Sequence, residues 1–107
     1  MYSFPVFLKK IREESRLTQE ELAKILCVST ILVSMVETGQ KEVSKKFIKS
    51  LAEKMGVSAT SITPFLFFEK ETSLKDLSNT EKSFIKLVEK LQIHLIQTKA
   101  KNLRRYV

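Results

Sequence analysis

The sequence predicts an all-α protein, a bundle of short helices followed by one long amphipathic C-terminal helix. Three observations carry this. Only two Gly and two Pro occur in 107 residues, and β-rich folds need turn residues at short intervals. Apolar residues recur three and four positions apart in successive segments, the period of one helix face. Each segment follows a Ser, Thr or Pro suited to a helix start. The apolar share of 43% is enough for a modest core.

Pro5 marks the first turn of the first helix, where its fixed φ is pre-organised. Phe7, Leu8 and Ile11 form that helix's buried stripe. Thr18 caps a second helix, and Glu21 three residues on completes a capping box. Leu22, Ala23 and Leu26 give it a narrow apolar face. Cys27 and Val28 break the run. Ser29 caps a third helix, in which Val33 and Val36 point one way. Gly39 stops it, because a positive φ costs glycine little. A helix of about eight residues, a short turn and a second short helix is helix-turn-helix spacing.

Gln40 to Val43 reads as a loop, and Ser44 caps a fourth helix with Phe47, Ile48, Leu51, Ala52 and Met55 at helical spacing. Gly56 ends it and Val57 packs back. Ser58 caps a short fifth helix running to about Thr63, with Ile62 inward. Residues 1–63 are therefore one expected domain. Residues 64–79 are an apolar segment, Phe65 to Phe68, followed by a polar linker. Contiguous apolar surface of that kind marks an interface, or two or three of the rings fill a groove beside the last core helix. Residues 80–107 are the expected dimerisation helix and basic tail: Thr80 caps a helix from Glu81 to about Arg104. Phe84, Val88, Leu91 and Leu95 recur as a heptad-like seam. Ile85, Leu87, Ile93, Ile96 and Leu103 widen the apolar surface beyond one stripe, and such a helix needs more than one packing partner. Two such helices, each also packed on its own domain, would supply this in a homodimer; in a monomer the helix folds back on the core. Phe65, Phe67, Phe84, Val88, Leu91 and Leu95 are the expected dimer interface.

At Thr18-Gln19-x-x-Leu22-Ala23, Val28-Ser29, Val33-Ser34, Val36-Glu37 and Gly39 the chain resembles the phage repressor and Cro helix-turn-helix family. The resemblance runs from about Leu8 to about Ile62 and includes Leu8 to Arg12 and Leu51 to Ser58. It implies a repressor-like bundle of about five helices whose third helix lies in the DNA major groove. Two positions depart from the family pattern. Cys27 stands where glycine is usual, and a non-glycine residue adopts the left-handed conformation there at a cost of roughly 1 kcal/mol. The outer face of the third helix, with Thr30, Ile31, Leu32, Ser34 and Met35, carries no cation and no amide for bidentate base contacts.

The resemblance also implies a structural ion pair, Arg12 with Glu37. It places Gln19 at a phosphate, helped by the backbone N–H groups of a positive helix end. Gln40, Lys41, Lys45 and Lys46 follow the third helix, where the family contacts phosphates, and are the cationic and polar candidates here. Thr30, Ile31, Ser34 and Met35 would face bases. Hydroxyls can bond either base type and Ile or Met can meet a thymine methyl, an A·T-leaning readout. The competing reading of Ile31, Leu32 and Met35 is a protein-binding patch.

The formal net charge of +7 favours an anionic partner. No run of eighteen apolar residues is present, so no membrane span is expected. Met1 to Lys10 lacks signal-peptide features, and a single cysteine fits a reducing cytoplasm. Cys27 reads as a small packed residue rather than a redox sensor, His94 receives no ligand role, and Lys99, Lys101, Arg104 and Arg105 form a tail that touches DNA or only solubilises. No catalytic constellation, metal site or cofactor site is expected. The reading is a DNA-binding transcriptional regulator, a repressor or autorepressing antitoxin, acting on double-stranded DNA as a homodimer at a two-fold operator. The alternative is a protein-binding adaptor or antitoxin-like partner that uses the apolar third helix.

Overall fold

The structure is a computed structural model that describes residues 2–62 and 78–107. Phe65 and Phe67, with the rest of the apolar segment and linker, lie outside the described residues. Helices α1 (Phe4–Glu14), α2 (Gln19–Leu26), α3 (Thr30–Glu37), α4 (Lys45–Met55) and α5 (Asn79–Thr98) make up the fold, with a 3-10 turn at Ala59–Ser61 and a 3-10 helix at Ala100–Tyr106. No strand occurs among the described residues, so the all-α class holds.

Local chemistry explains the helix starts. Pro5 sits in the first turn of α1. The capping box at α2 is complete: Thr18 Oγ1 accepts from the Glu21 N–H at 3.1 Å, and Glu21 Oε1 accepts from the Thr18 N–H at 2.9 Å. Ser29 caps α3 at the Leu32 N–H and Ser44 caps α4 at the Phe47 N–H, each at 3.1 Å. Such caps are worth about 1 kcal/mol each.

The ends of α1 to α4 share one device. Each closes with an i→i−5 bond and an i→i−3 bond around a left-handed residue, the Schellman arrangement. Leu17 N–H bonds Arg12 O and Arg16 N–H bonds Glu13 O; Val28 bonds Ala23 while Cys27 bonds Lys24. Gln40 bonds Met35 and Gly39 bonds Val36; Val57 bonds Ala52 and Gly56 bonds Glu53. The left-handed residues are Arg16, Cys27, Gly39 and Gly56, so glycine marks only the last two of the four ends.

Phe7, Leu8, Ile11, Leu22, Leu51, Met55 and Ile62 are almost wholly buried at the centre. Burial of each such side chain stabilises by about 1.5–3 kcal/mol. The same core takes in Val88, Leu95, Ala100 and Leu103 from the C-terminal part, with Leu91 and Ile96 half-buried against it. Val88 and Leu95 of the expected dimer seam are thus covered by their own chain, which has an apolar face of α1 to offer them. Phe84 remains 53% exposed, and Leu87 beside it 65%.

Three polar ties lock this packing. Gln92, 1% exposed, lies in α5 facing the first residues. Its Nε2 donates to Tyr2 O at 2.7 Å and its Oε1 accepts from Tyr2 N–H at 2.9 Å. Asn102 Nδ2 donates to Met55 O at 2.7 Å, satisfying a carbonyl at the end of α4. Arg104 Nη1 donates to Arg16 O at 3.0 Å.

Two boundaries of the last helix differ from expectation. Ser78, not Thr80, is the cap, because Ser78 Oγ accepts from the Glu81 N–H and donates to the Glu81 carboxylate. The α-helix stops at Thr98 rather than Arg104. Thr98 Oγ1 donates back to His94 O at 2.7 Å, a bond that weakens a helix locally. The tighter 3-10 coil that follows lets Ala100 and Leu103 reach the core while Asn102 reaches α4.

Candidate nucleic-acid interface

One ion pair holds the motif together. Arg12 Nε donates to Glu37 Oε2 at 2.7 Å and Arg12 Nη2 to Glu37 Oε1 at 3.0 Å, a bidentate fork. The Glu37 side chain is 2% exposed. Arg12 Nη1 donates to Leu17 O at 2.9 Å, so one guanidinium ties α1, the α1–α2 loop and the end of α3. The bond to Glu37 raises the Arg12 pKa from its ordinary value, against the opposing effect of burial.

Gln19 joins this cluster. Its Nε2 donates to Glu37 Oε1 at 3.2 Å, so one amide hydrogen points inward at the carboxylate rather than outward. This role had no signal in the sequence, because Gln19 and Glu37 are eighteen residues apart and on different helices. The first turn of α2 also holds Glu20 and Glu21. The Thr18 N–H, and then its hydroxyl, hold the Glu21 carboxyl below the usual glutamate range.

The turn places α3. Cys27 has φ 57° and ψ 43°, so a thiol occupies the left-handed position, and it is exposed. Val33, Val36 and Glu37 face the core and Leu32 packs partly against it. Ile31 points away from the core at 72% exposure. Thr30 is exposed beside it, and Ser34 and Met35 are half-buried one turn on. The four residues expected at bases therefore share the outward side of α3, whereas Leu32 leaves it. The Thr38 hydroxyl is used within the helix, donating to Ser34 O and Met35 O.

Beyond Gly39 the chain folds back on α3: the Gln40 and Lys41 N–H groups both reach Met35 O. Gln40, Lys41, Lys45 and Lys46 are all exposed. Lys45 and Lys46 stand in the first turn of α4, which contains no acid. A cation at a helix N-terminus opposes the dipole and costs about 0.3–1 kcal/mol, so the pair concentrates positive potential at the start of α4. That potential suits an anion.

Among the described residues no group of three or more His, Cys, Asp or Glu could hold a metal ion. No described helix is long and apolar enough to cross a membrane. No curated protein and no solved structure shows a significant match to the chain. The family model described as "Helix-turn-helix" does match, over residues 8–62, just over half of the chain. With its capped α2, left-handed turn, outward α3 and flanking lysines, the protein belongs to the helix-turn-helix family of phage-repressor and Cro type, a family of DNA-binding transcriptional regulators.

Proposed function

We propose that the protein is a repressor that binds a two-fold operator as a homodimer. The observation that carries this reading is the outward face of α3 followed in the chain by Gln40, Lys41, Lys45 and Lys46, all exposed and all within the family match. In this reading α3 enters the major groove and Thr30, Ile31, Ser34 and Met35 meet base edges. The lysines and Gln40, which follow α3, hold phosphates. Gln19 has a second amide hydrogen for a phosphate while the first holds Glu37. Phosphate contacts supply most of the affinity and set the register.

The dimer would use the part of α5 that its own core leaves open, Phe84 and Leu87, with Leu91 half-open between that face and the core. The two α3 helices then stand about 34 Å apart, one turn of DNA.

Selection of bound duplexes from a random pool, with light scattering on the same sample, tests the reading. A two-fold consensus bound by a dimer is the expected result. Lys41→Ala or Lys46→Ala should weaken binding to every sequence alike and lower the salt slope by about one. If neither changes a gel shift at low salt, the docking face lies elsewhere. An adaptor or antitoxin-like role is the second reading, favoured by the exposure of Ile31. It predicts that no duplex is retained.

A further inference from the structure

We infer that α3 recognises the 5-methyl group of pyrimidines in the major groove, and that Ile31 is the residue that does so. The inference deepens the DNA-binding reading and rests on it.

A donor inventory of the α3 face leads there. Guanine is read by Arg or Lys on O6 and N7, and adenine by Asn or Gln on N6 and N7. The outward side of α3 has none of these four residue types. Its polar groups are the Thr30 and Ser34 hydroxyls, single donors that bond either base type, and the Thr38 hydroxyl is already used on helix carbonyls. Hydroxyls therefore discriminate little. What this face offers is hydrocarbon: Ile31 at 72% exposure, on the side opposite Val33 and Val36, with Met35 one turn further along the same side.

In the major groove the base edges differ in one apolar feature, the C5 methyl of thymine. An exposed branched aliphatic chain on a groove-entering helix gains by covering such a methyl and gains nothing at a bare cytosine edge. The exposed lysines that follow α3 in the chain complement a polyanion, which favours DNA over an apolar protein partner as the occupant of this face. The ligand feature is then not a base pair but a methyl. A 5-methylcytosine should serve where thymine serves, because its methyl projects at the same place.

Two pairs of alternating duplexes test this directly with the full chain: poly(dA–dT) against poly(dA–dU), and poly(dG–5-methyl-dC) against poly(dG–dC). Within each pair the phosphates are the same and only the C5 methyl differs. The methylated member should bind about fourfold or more tightly in both pairs, the equivalent of at least one buried methyl per site. Ile31→Ala should erase the preference, so that the two members of each pair bind alike, and should leave the salt slope unchanged because the phosphate contacts are untouched. Because Ile31 is exposed, that variant should melt like the parent. Equal binding of both members of each pair overturns the inference and leaves DNA binding standing. A methyl preference that survives Ile31→Ala overturns the assignment to that residue. Retention of none of the four duplexes at low salt overturns the DNA-binding reading itself, with the α3 face left to a protein partner.

Discussion

At the residue scale, two kinds of side chain stand in positions that cost stability on their own. Glu37 is a buried carboxylate whose charge is tolerated only because Arg12 grips it with two donors and Gln19 adds a third. Breaking one member of such a pair strands the other charge, at a cost of about 3–5 kcal/mol, while replacing both by apolar residues can be nearly neutral. Glu37→Gln should therefore lose about 3 kcal/mol in urea unfolding, and Arg12→Met with Glu37→Leu should recover most of it. A double variant no more stable than the single one would mean that the pair's shape, not its charge, matters. Cys27 is the other case. Its left-handed backbone costs a non-glycine residue roughly 1–2 kcal/mol, and glycine returns about half of that relief through unfolded-state entropy. Cys27→Gly should raise stability by about 0.5–1 kcal/mol, whereas Cys27→Val should lower it, both readable as shifts of the urea midpoint. The Arg12–Glu37 pair and the strained Cys27 were both legible through the family resemblance, the first as a pair it implies and the second as a non-glycine residue where it has glycine. The turn of Gln19 towards Glu37 was not, because an amide at a helix start reads equally as a contact to solvent, phosphate or carboxylate.

At the element scale, the starts of α2, α3 and α4 were legible because a cap acts through residues three apart. Helix ends were half legible: Gly39 and Gly56 announce theirs, while Arg16 adopts the same geometry with no compositional sign. The long helix was legible as a helix but not in its partner. Its apolar seam satisfies the spacing for a second copy and for its own α1 equally well, and only the assembled chain separates Val88 and Leu95, buried, from Phe84 and Leu87, open. Gln92 falls on the buried side as a polar residue among Val88 and Leu95, which reads from sequence as an exposed position. Its pairing with Tyr2 spans ninety residues and leaves no local trace. Gln92→Ala would leave the half-buried Tyr2 N–H and carbonyl without their amide partner, costing about 1 kcal/mol. Gln92→Glu removes a donor and adds a buried charge, so it should cost more. Equal melting of Gln92→Ala and the parent would show that water replaces the amide.

At the scale of the whole molecule, the lysines proposed to meet DNA and the residues proposed to self-associate stand on different elements. Exposed Lys41, Lys45 and Lys46 follow α3 in the chain. Phe84 and Leu87, two of the open apolar residues of α5, carry the proposed self-association. Phe84→Asp with Leu87→Asp should yield a monomer by light scattering without loss of thermal stability, since both side chains are already exposed. A dimer that persists through this change would place the interface elsewhere. Independence of the two surfaces means such a monomer should still bind non-specific DNA, weakly and with a smaller salt slope. The C-terminal contacts carry one more consequence, for how the protein is made. Ala100 and Leu103, with no exposed surface, complete a core begun by Phe7 and Leu8. Those two parts of the core leave the ribosome far apart in time. The whole family-matched segment can have emerged while α1 still lacks its cover, and the motif becomes a finished domain only when residues 100–103 have cleared the exit tunnel. Nascent chains arrested before that point should be more open to protease than the finished protein, although every residue of the motif is already present.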